Sequence, residues 1–160
     1  MTSPKILVIG EAYGAEEEKQ GKPFVGPAGR LLRRALEEAG FDLRTVDFNN
    51  VCMWRPSGNR QPTSREVEAE LPRLQELVKQ YQWVILAGRT AHSALHPMNH
   101  IPFSMLLAQR YGKFFTIWHP SYIIYQMKYK PQWINDLRSI LAAISNSAVE
   151  TASTGTYPLL

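Results

Sequence analysis

Four short strand-like runs, each followed by a turn-forming stretch and then by a segment of helical period, decide what this 160-residue chain can fold into. The runs are KILVIG (5–10), VDFNNVCMW (46–54), WVILAG (83–88) and KFFTIWH (113–119). In KILVIG, near-continuous apolarity over so few residues closed by glycine is the pattern of a strand covered on both faces of a parallel sheet. Between the runs lies AGRLLRRALEEAG (28–40), which puts Leu31, Leu32, Ala35, Leu36 and Ala39 on one helical face and stops at Gly40. SREVEAELPRLQELVKQY (64–81) is expected to be a helix with Ser64 as its cap and a kink or break at Pro72. RTAHSAL (89–95) begins a short helix, and PQWINDLRSILAAIS (131–145) is an amphipathic closing helix. The alternation implies a three-layer α/β/α sandwich around a mostly parallel four-stranded sheet. Residues 1–145 then form one domain, and the Ser/Thr-rich residues 146–160 are expected to be a flexible tail.

Composition narrows the function classes. No apolar run approaches the ~20 residues of a membrane span, so no membrane partner is expected. Residues 1–5 lead directly into the first strand, so a signal peptide is not expected either. The single cysteine, Cys52, excludes an intrachain disulfide framework and a metal centre built from cysteines alone. A cytoplasmic setting follows. The net charge of +4 leans towards polyanionic partners.

In open α/β sheets, ligands sit at the carboxyl ends of the strands. Those ends carry Gly10-Glu11-Ala12-Tyr13, then Asn49 and Asn50 leading to Arg55 and Asn59, then Gly88, and finally His119-Pro120-Ser121. Such a site holds a carboxylate, amides and an imidazole. It lacks Gly-Lys-Ser/Thr and Gly-x-Gly-x-x-Gly, and the acidic run Glu16, Glu17, Glu18 beside the first turn would repel a phosphate chain. A Rossmann-like nucleotide-binding role is thereby disfavoured.

The stretch GEAYGAEEEKQGKPFVGPAGRLL (10–32) resembles the first motif of the family 4 uracil-DNA glycosylases, Gly-Glu-Ala-Pro-Gly followed by acidic residues and Gly-x-Pro-Phe-Val-Gly-x-Ala-Gly. NNVCMWRPSGNRQP (49–62) is similar to that family's Arg-Pro and Asn-Arg segment, and WHPSYII (118–124) to its closing His-Pro-Ser segment. With VILAGRTAHSAL (84–95) between them, the resemblance covers residues 5 to about 143. It implies an enzyme that flips a nucleotide out of DNA, seats uracil in a pocket and hydrolyses its N-glycosidic bond, leaving an abasic site for base excision repair.

The resemblance also assigns roles. Phe24 stacks on the base, and Asn50 reads the uracil edge, accepting from N3–H and donating to O4. His119 donates to O2 as negative charge gathers there. Glu11 supports the cationic sugar or orients water, Asn59 positions the attacking water, and Glu17 presses near C5 so that thymine is refused. Arg55 and Arg60 contact phosphate or brace their loop. Ser121 and Lys128 join the DNA-binding surface, with Tyr122, Ile123 and Ile124 as candidates for a wedge that fills the vacated stack. For the isoleucines the alternative is burial beneath the last helix. The partner is single- or double-stranded DNA containing uracil, and a monomer is the default.

Departures from the pattern matter. Ala12 stands where the most active relatives carry Asp, and Tyr13 replaces the motif proline, either narrowing the pocket or facing away. The family's iron–sulfur cluster needs four cysteines, but the matching positions here are Trp54 and Glu70, and the N-terminal pair has no counterpart. No cofactor is therefore expected, and packing by Trp54 and its neighbours takes the cluster's place. These departures keep a second reading open: a homologue acting on another modified base, or one that binds DNA or a protein without catalysis.

Overall fold

The computed structural model describes residues 5–153, with side chains described through 147. Strands β1 (Ile6–Ala12), β2 (Val46–Cys52), β3 (Trp83–Ala87) and β4 (Phe114–Ile117) form one parallel sheet in the order β2-β1-β3-β4. Alternation along the strands sorts their side chains into two cores. Ile6, Val8, Ile85, Phe115 and Ile117 face one, and Leu7, Ile9, Val84 and Leu86 face the other.

The first core is closed by helices α2 (Pro27–Ala39), α5 (Pro120–Tyr125) and α6 (Lys130–Ser153), through Leu32, Leu36, Ile123, Trp133 and Leu137. The second is closed by α3 (Ser64–Val78) and α4 (Arg89–Leu95), through Leu74, Val78 and Ala91. A short helix, α1 (Ala15–Gln20), buries nothing and serves the loop after β1. The expected three-layer sandwich is thus present. No helix among the described residues is long and apolar enough to cross a membrane.

Several boundaries differ from expectation for physical reasons. The cap of α3 is Thr63, whose hydroxyl accepts from the Glu66 amide while the Glu66 carboxylate reaches back to the Thr63 amide. Pro72 neither breaks nor ends α3. It lies on the exposed face, where water can satisfy the carbonyl that loses its partner. The stretch 122–130, which carries the wedge candidates, contains the end of α5 and a single 3₁₀ turn at Met127–Tyr129. Helix α6 continues to Ser153, past the expected boundary at 145, and residues 154–160 of the expected tail lie outside the described residues.

The chain runs from β1 outward to β2 and then back across β1 to β3. That reversal opens a crevice between β1 and β3 at their carboxyl ends, where a sheet of this type takes its ligand. Register places Gly10 directly beside Asn50.

Candidate active site

At this edge a cavity of about 370 Å³ gathers residues from five separated segments: Glu11, Tyr13, Phe24, Asn50, Asn59 and His119 among them. Ala12, Glu17, Arg60 and Ser121 also line it. Its size falls within the range of small-ligand sites.

The wall carrying Phe24 is built backbone first. Phe24 has φ +55, left-handed and unusual for a bulky residue, a strain on the order of 1–3 kcal/mol that its surroundings must hold. Arg33 donates from Nε to the Phe24 carbonyl at 3.0 Å and from Nη2 to the Pro23 carbonyl at 3.4 Å. On the other side Glu17 accepts from the amides of Gly14, Val25 and Gly26 at 3.1, 3.0 and 2.6 Å. Glu17 therefore lines the cavity, but its oxygens are held by backbone amides, tying the start of α1 to the Phe24 loop.

Two glycines explain why this motif tolerates no side chain. A Cβ on Gly29 would collide with the Phe24 backbone. A Cβ on Gly10 would stand 2.6 Å from the Phe24 ring and 2.7 Å from the Asn50 Oδ1. The glycines let a ring and an amide converge on one space.

Asn50 is buried at the end of β2, and its setting was not foreseen from sequence. Arg73 on α3 donates to the carbonyls of Asn50 and Val51 at 3.0 and 2.9 Å, to Asn49 Oδ1 at 2.9 Å and to Glu70 at 3.1 Å. Asn49 Oδ1 also accepts from the Asn50 amide at 3.0 Å. One guanidinium thus fixes the strand end that presents Asn50. The only sequence signal for it is a Glu70/Arg73 pair on one helix face, which ordinarily marks a solvated ion pair.

His119 caps the N-terminus of α5, and its Nδ1 accepts from the Ser121 amide at 3.1 Å and lies 2.7 Å from the Ser121 hydroxyl. A backbone amide can only donate, so Nδ1 carries no proton and the neutral ring has its N–H at Nε2. Burial pushes the imidazole down to about 4, against a smaller upward pull from Glu17, so the ring is uncharged at neutral pH. The Phe24 ring stacks against it with centroids 6.2 Å apart. Glu11 accepts a 2.5 Å hydrogen bond from the Thr90 hydroxyl, a partner 79 positions away that no local pattern announces.

The other expected residues divide between the cavity wall, the loops around it and the core. Arg55 braces its loop, donating to Asn59 Oδ1 at 2.9 Å and facing Glu18 at 3.6 Å. Arg60 is held by Glu66 at 2.8 and 3.0 Å. Ile123 is fully buried in the first core and cannot be a wedge, because α5 turns its side chain under the helix; the burial alternative is correct. Tyr122 and Ile124 are exposed but do not line this cavity, whereas Tyr125, 84% exposed, stands at its edge. Lys128 lies over the Tyr129 ring at 5.2 Å, away from the cavity lining.

The residues do not fit an iron–sulfur cluster. Cys52 is buried in the second core, its thiol pushed up to about 11 by burial, and Trp54 packs on that core. The Glu70 carboxylate is engaged by Arg73, and no group of three or more His, Cys, Asp or Glu side chains able to hold a metal gathers among the described residues.

An amide, an uncharged imidazole, a carboxylate and an aromatic face thus converge at the switch point of a doubly wound sheet, the place where sheets of this class take a ligand. The sequence profile of the Uracil DNA glycosylase superfamily matches residues 1–140, and the chain belongs to that family. It is 30% identical over 150 residues to the Type-4 uracil-DNA glycosylase of Archaeoglobus fulgidus, covering 85% of this chain and 75% of that one. Against the Type-4 uracil-DNA glycosylase of Saccharolobus solfataricus it is 30% identical over 160 residues, covering 91% and 74%. A third relative, the Type-4 enzyme of Pyrobaculum aerophilum, is 48% identical over 69 residues, covering 43% and 35%.

Proposed function

We propose that this chain is a monofunctional DNA glycosylase that removes uracil from DNA. The observation that carries the reading is the meeting of Phe24, Asn50, Glu11 and His119, from four separate stretches of sequence, on one cavity at the sheet's carboxyl edge. The relatives' names point the same way.

In this reading the flipped uracil lies against Phe24, and the Asn50 amide accepts from N3–H and donates to O4, a pairing that cytosine cannot match. The C1′–N1 bond breaks with its electron pair passing to uracil. His119, neutral and protonated at Nε2, donates to O2 as that charge develops. The Glu11 carboxylate, oriented by Thr90, stabilises the cationic sugar. Water held near Asn59 then bonds to C1′ and releases its proton, giving free uracil and an abasic site. With Ala12 in place of an acid, no strong base drives the water, so catalysis rests on stabilising the leaving group and the sugar. Thymine is refused by the closed wall around Glu17, whose carboxylate is pinned in place. The substrate partner is DNA, and the chain acts as a monomer in the cytoplasm.

Tyr13 lines the same cavity and favours a second reading, in which the pocket accepts a different deaminated base. Oligonucleotides carrying one uracil, one hypoxanthine, one cytosine or one thymine, each single- and double-stranded, decide the matter after alkali cleavage. Cleavage at uracil alone supports the first reading, and cleavage at hypoxanthine but not uracil supports the second. No cleavage of any at high protein concentration overturns both.

A further inference from the structure

A second cavity of about 470 Å³ adjoins the first and shares Glu11, His119 and Ser121 with it. Its remaining wall differs in kind. Trp118, Tyr122 and Phe103 supply aromatic surface, and Arg89 supplies a cation at the start of α4. The cations that surround the first cavity are engaged: Arg55, Arg60 and Arg73 each face a glutamate. Arg89 is exposed, lies with its guanidinium 5.8 Å from the Phe103 ring centre, and forms no ion pair among the described residues.

Tyr122 belongs to an aromatic tier. Its ring stacks on Tyr129 at 6.0 Å with an interplanar angle of 16°, Trp118 packs against both at 5.8 and 5.2 Å, and Lys128 lies over Tyr129. The tier is braced from behind, since the Trp133 indole N–H donates to the Trp118 carbonyl at 3.0 Å. Yet Tyr122 remains 42% exposed where it meets the cavity. A supported, half-open aromatic face beside an unneutralised arginine is the pairing used to hold unpaired nucleotides, the ring taking the base and the cation its phosphate.

We propose that this groove is the subsite for the nucleotide that neighbours the flipped one on the same strand, its base stacked on Tyr122 and its phosphate drawn to Arg89. The proposal rests on the uracil reading above, because the shared wall of Glu11, His119 and Ser121 makes the two cavities consecutive seats for one chain. It commits the enzyme to unstacking two successive nucleotides, which single-stranded DNA allows more readily than a duplex.

The test uses single-stranded oligonucleotides with one uracil in which the 5′ or the 3′ neighbour is replaced by a base-less tetrahydrofuran spacer. For the unaltered protein, KM rises about tenfold with the spacer on one side and less than twofold with it on the other. Tyr122→Ala raises KM by a similar factor on the ordinary oligonucleotide and abolishes the difference between spacer and base, while Tyr122→Phe keeps that difference. Arg89→Gln flattens the slope of log KM against log salt by roughly 0.7, the share of one phosphate contact on a single strand. Equal KM values with spacers on either side, a comparison that needs no variant, would overturn the subsite while leaving uracil excision standing. Full discrimination by Tyr122→Ala would also overturn it. Failure to excise uracil from every substrate overturns the underlying reading, and the subsite falls with it.

Discussion

The two sides of the candidate site are held together in different ways. On the side of β1 and β2, the Phe24 loop is fastened by backbone-directed hydrogen bonds from Arg33 and to Glu17, packed on Gly29 without a side chain between, and set beside an Asn50 fixed by Arg73. On the side of α5 and the following turn, Tyr122, Ile124, Tyr125 and Met127 expose much of their surface. The first side has no freedom left to lose on binding, so a base meets donors and acceptors already aimed. The second side keeps movable side chains, as suits a surface that must follow a flexible strand.

If the rigid side carries the chemistry, damage there costs most. Asn50→Ala and His119→Ala are each expected to lower single-turnover excision of uracil by roughly 100-fold or more, and His119→Ala also removes the α5 cap, at about 1 kcal/mol of stability. Gly29→Ala tests the wall rather than its functional groups. The new methyl collides with the Phe24 backbone, so the loop must move, and we expect a loss of at least tenfold in excision with about 1–3 kcal/mol of destabilisation, read by urea titration.

A smaller effect concerns pH. His119 and the buried His96 are both pushed by burial to about 4 in the folded chain, against 6.5 for an ordinary histidine. Between these values the unfolded chain binds more protons than the folded one, so stability falls as pH is lowered from about 6.5 towards 4. Melting curves across that window should show the fall, and His96→Gln should make it shallower. The smallest effect is expected on the soft side: Tyr125→Ala should raise KM about threefold without moving the melting temperature, because an 84% exposed ring contributes little to folding.

The contrast also explains what could be read from sequence. Three strands were legible as brief apolar runs and β2 by its place in the alternation; Asn50 and His119 were legible from motifs at strand ends, and Phe24 from the Gly/Pro-bounded loop of the first motif. The fastenings were not. The resemblance implies a place for Glu17 near C5, but nothing in the acidic run announces that its carboxylate closes on three backbone amides. Arg73 looks like half of a surface pair, and the bond from Thr90 to Glu11 joins distant segments. For Ile123 the sequence leaves wedge and core burial both open because α5 is six residues long, too short to display a helical period that separates its buried face from its exposed one.

The most direct measurement is a crystal structure of the protein with a single-stranded oligonucleotide carrying 2′-fluoro-2′-deoxyuridine, whose glycosidic bond resists cleavage. The account predicts uracil in the 370 Å³ cavity, flat against Phe24 and paired to Asn50, with those residues and His119 within about 1 Å of their places in the free protein, while Tyr125 changes rotamer. A Phe24 loop displaced by more than about 2 Å, or a base seated outside this cavity, would contradict it.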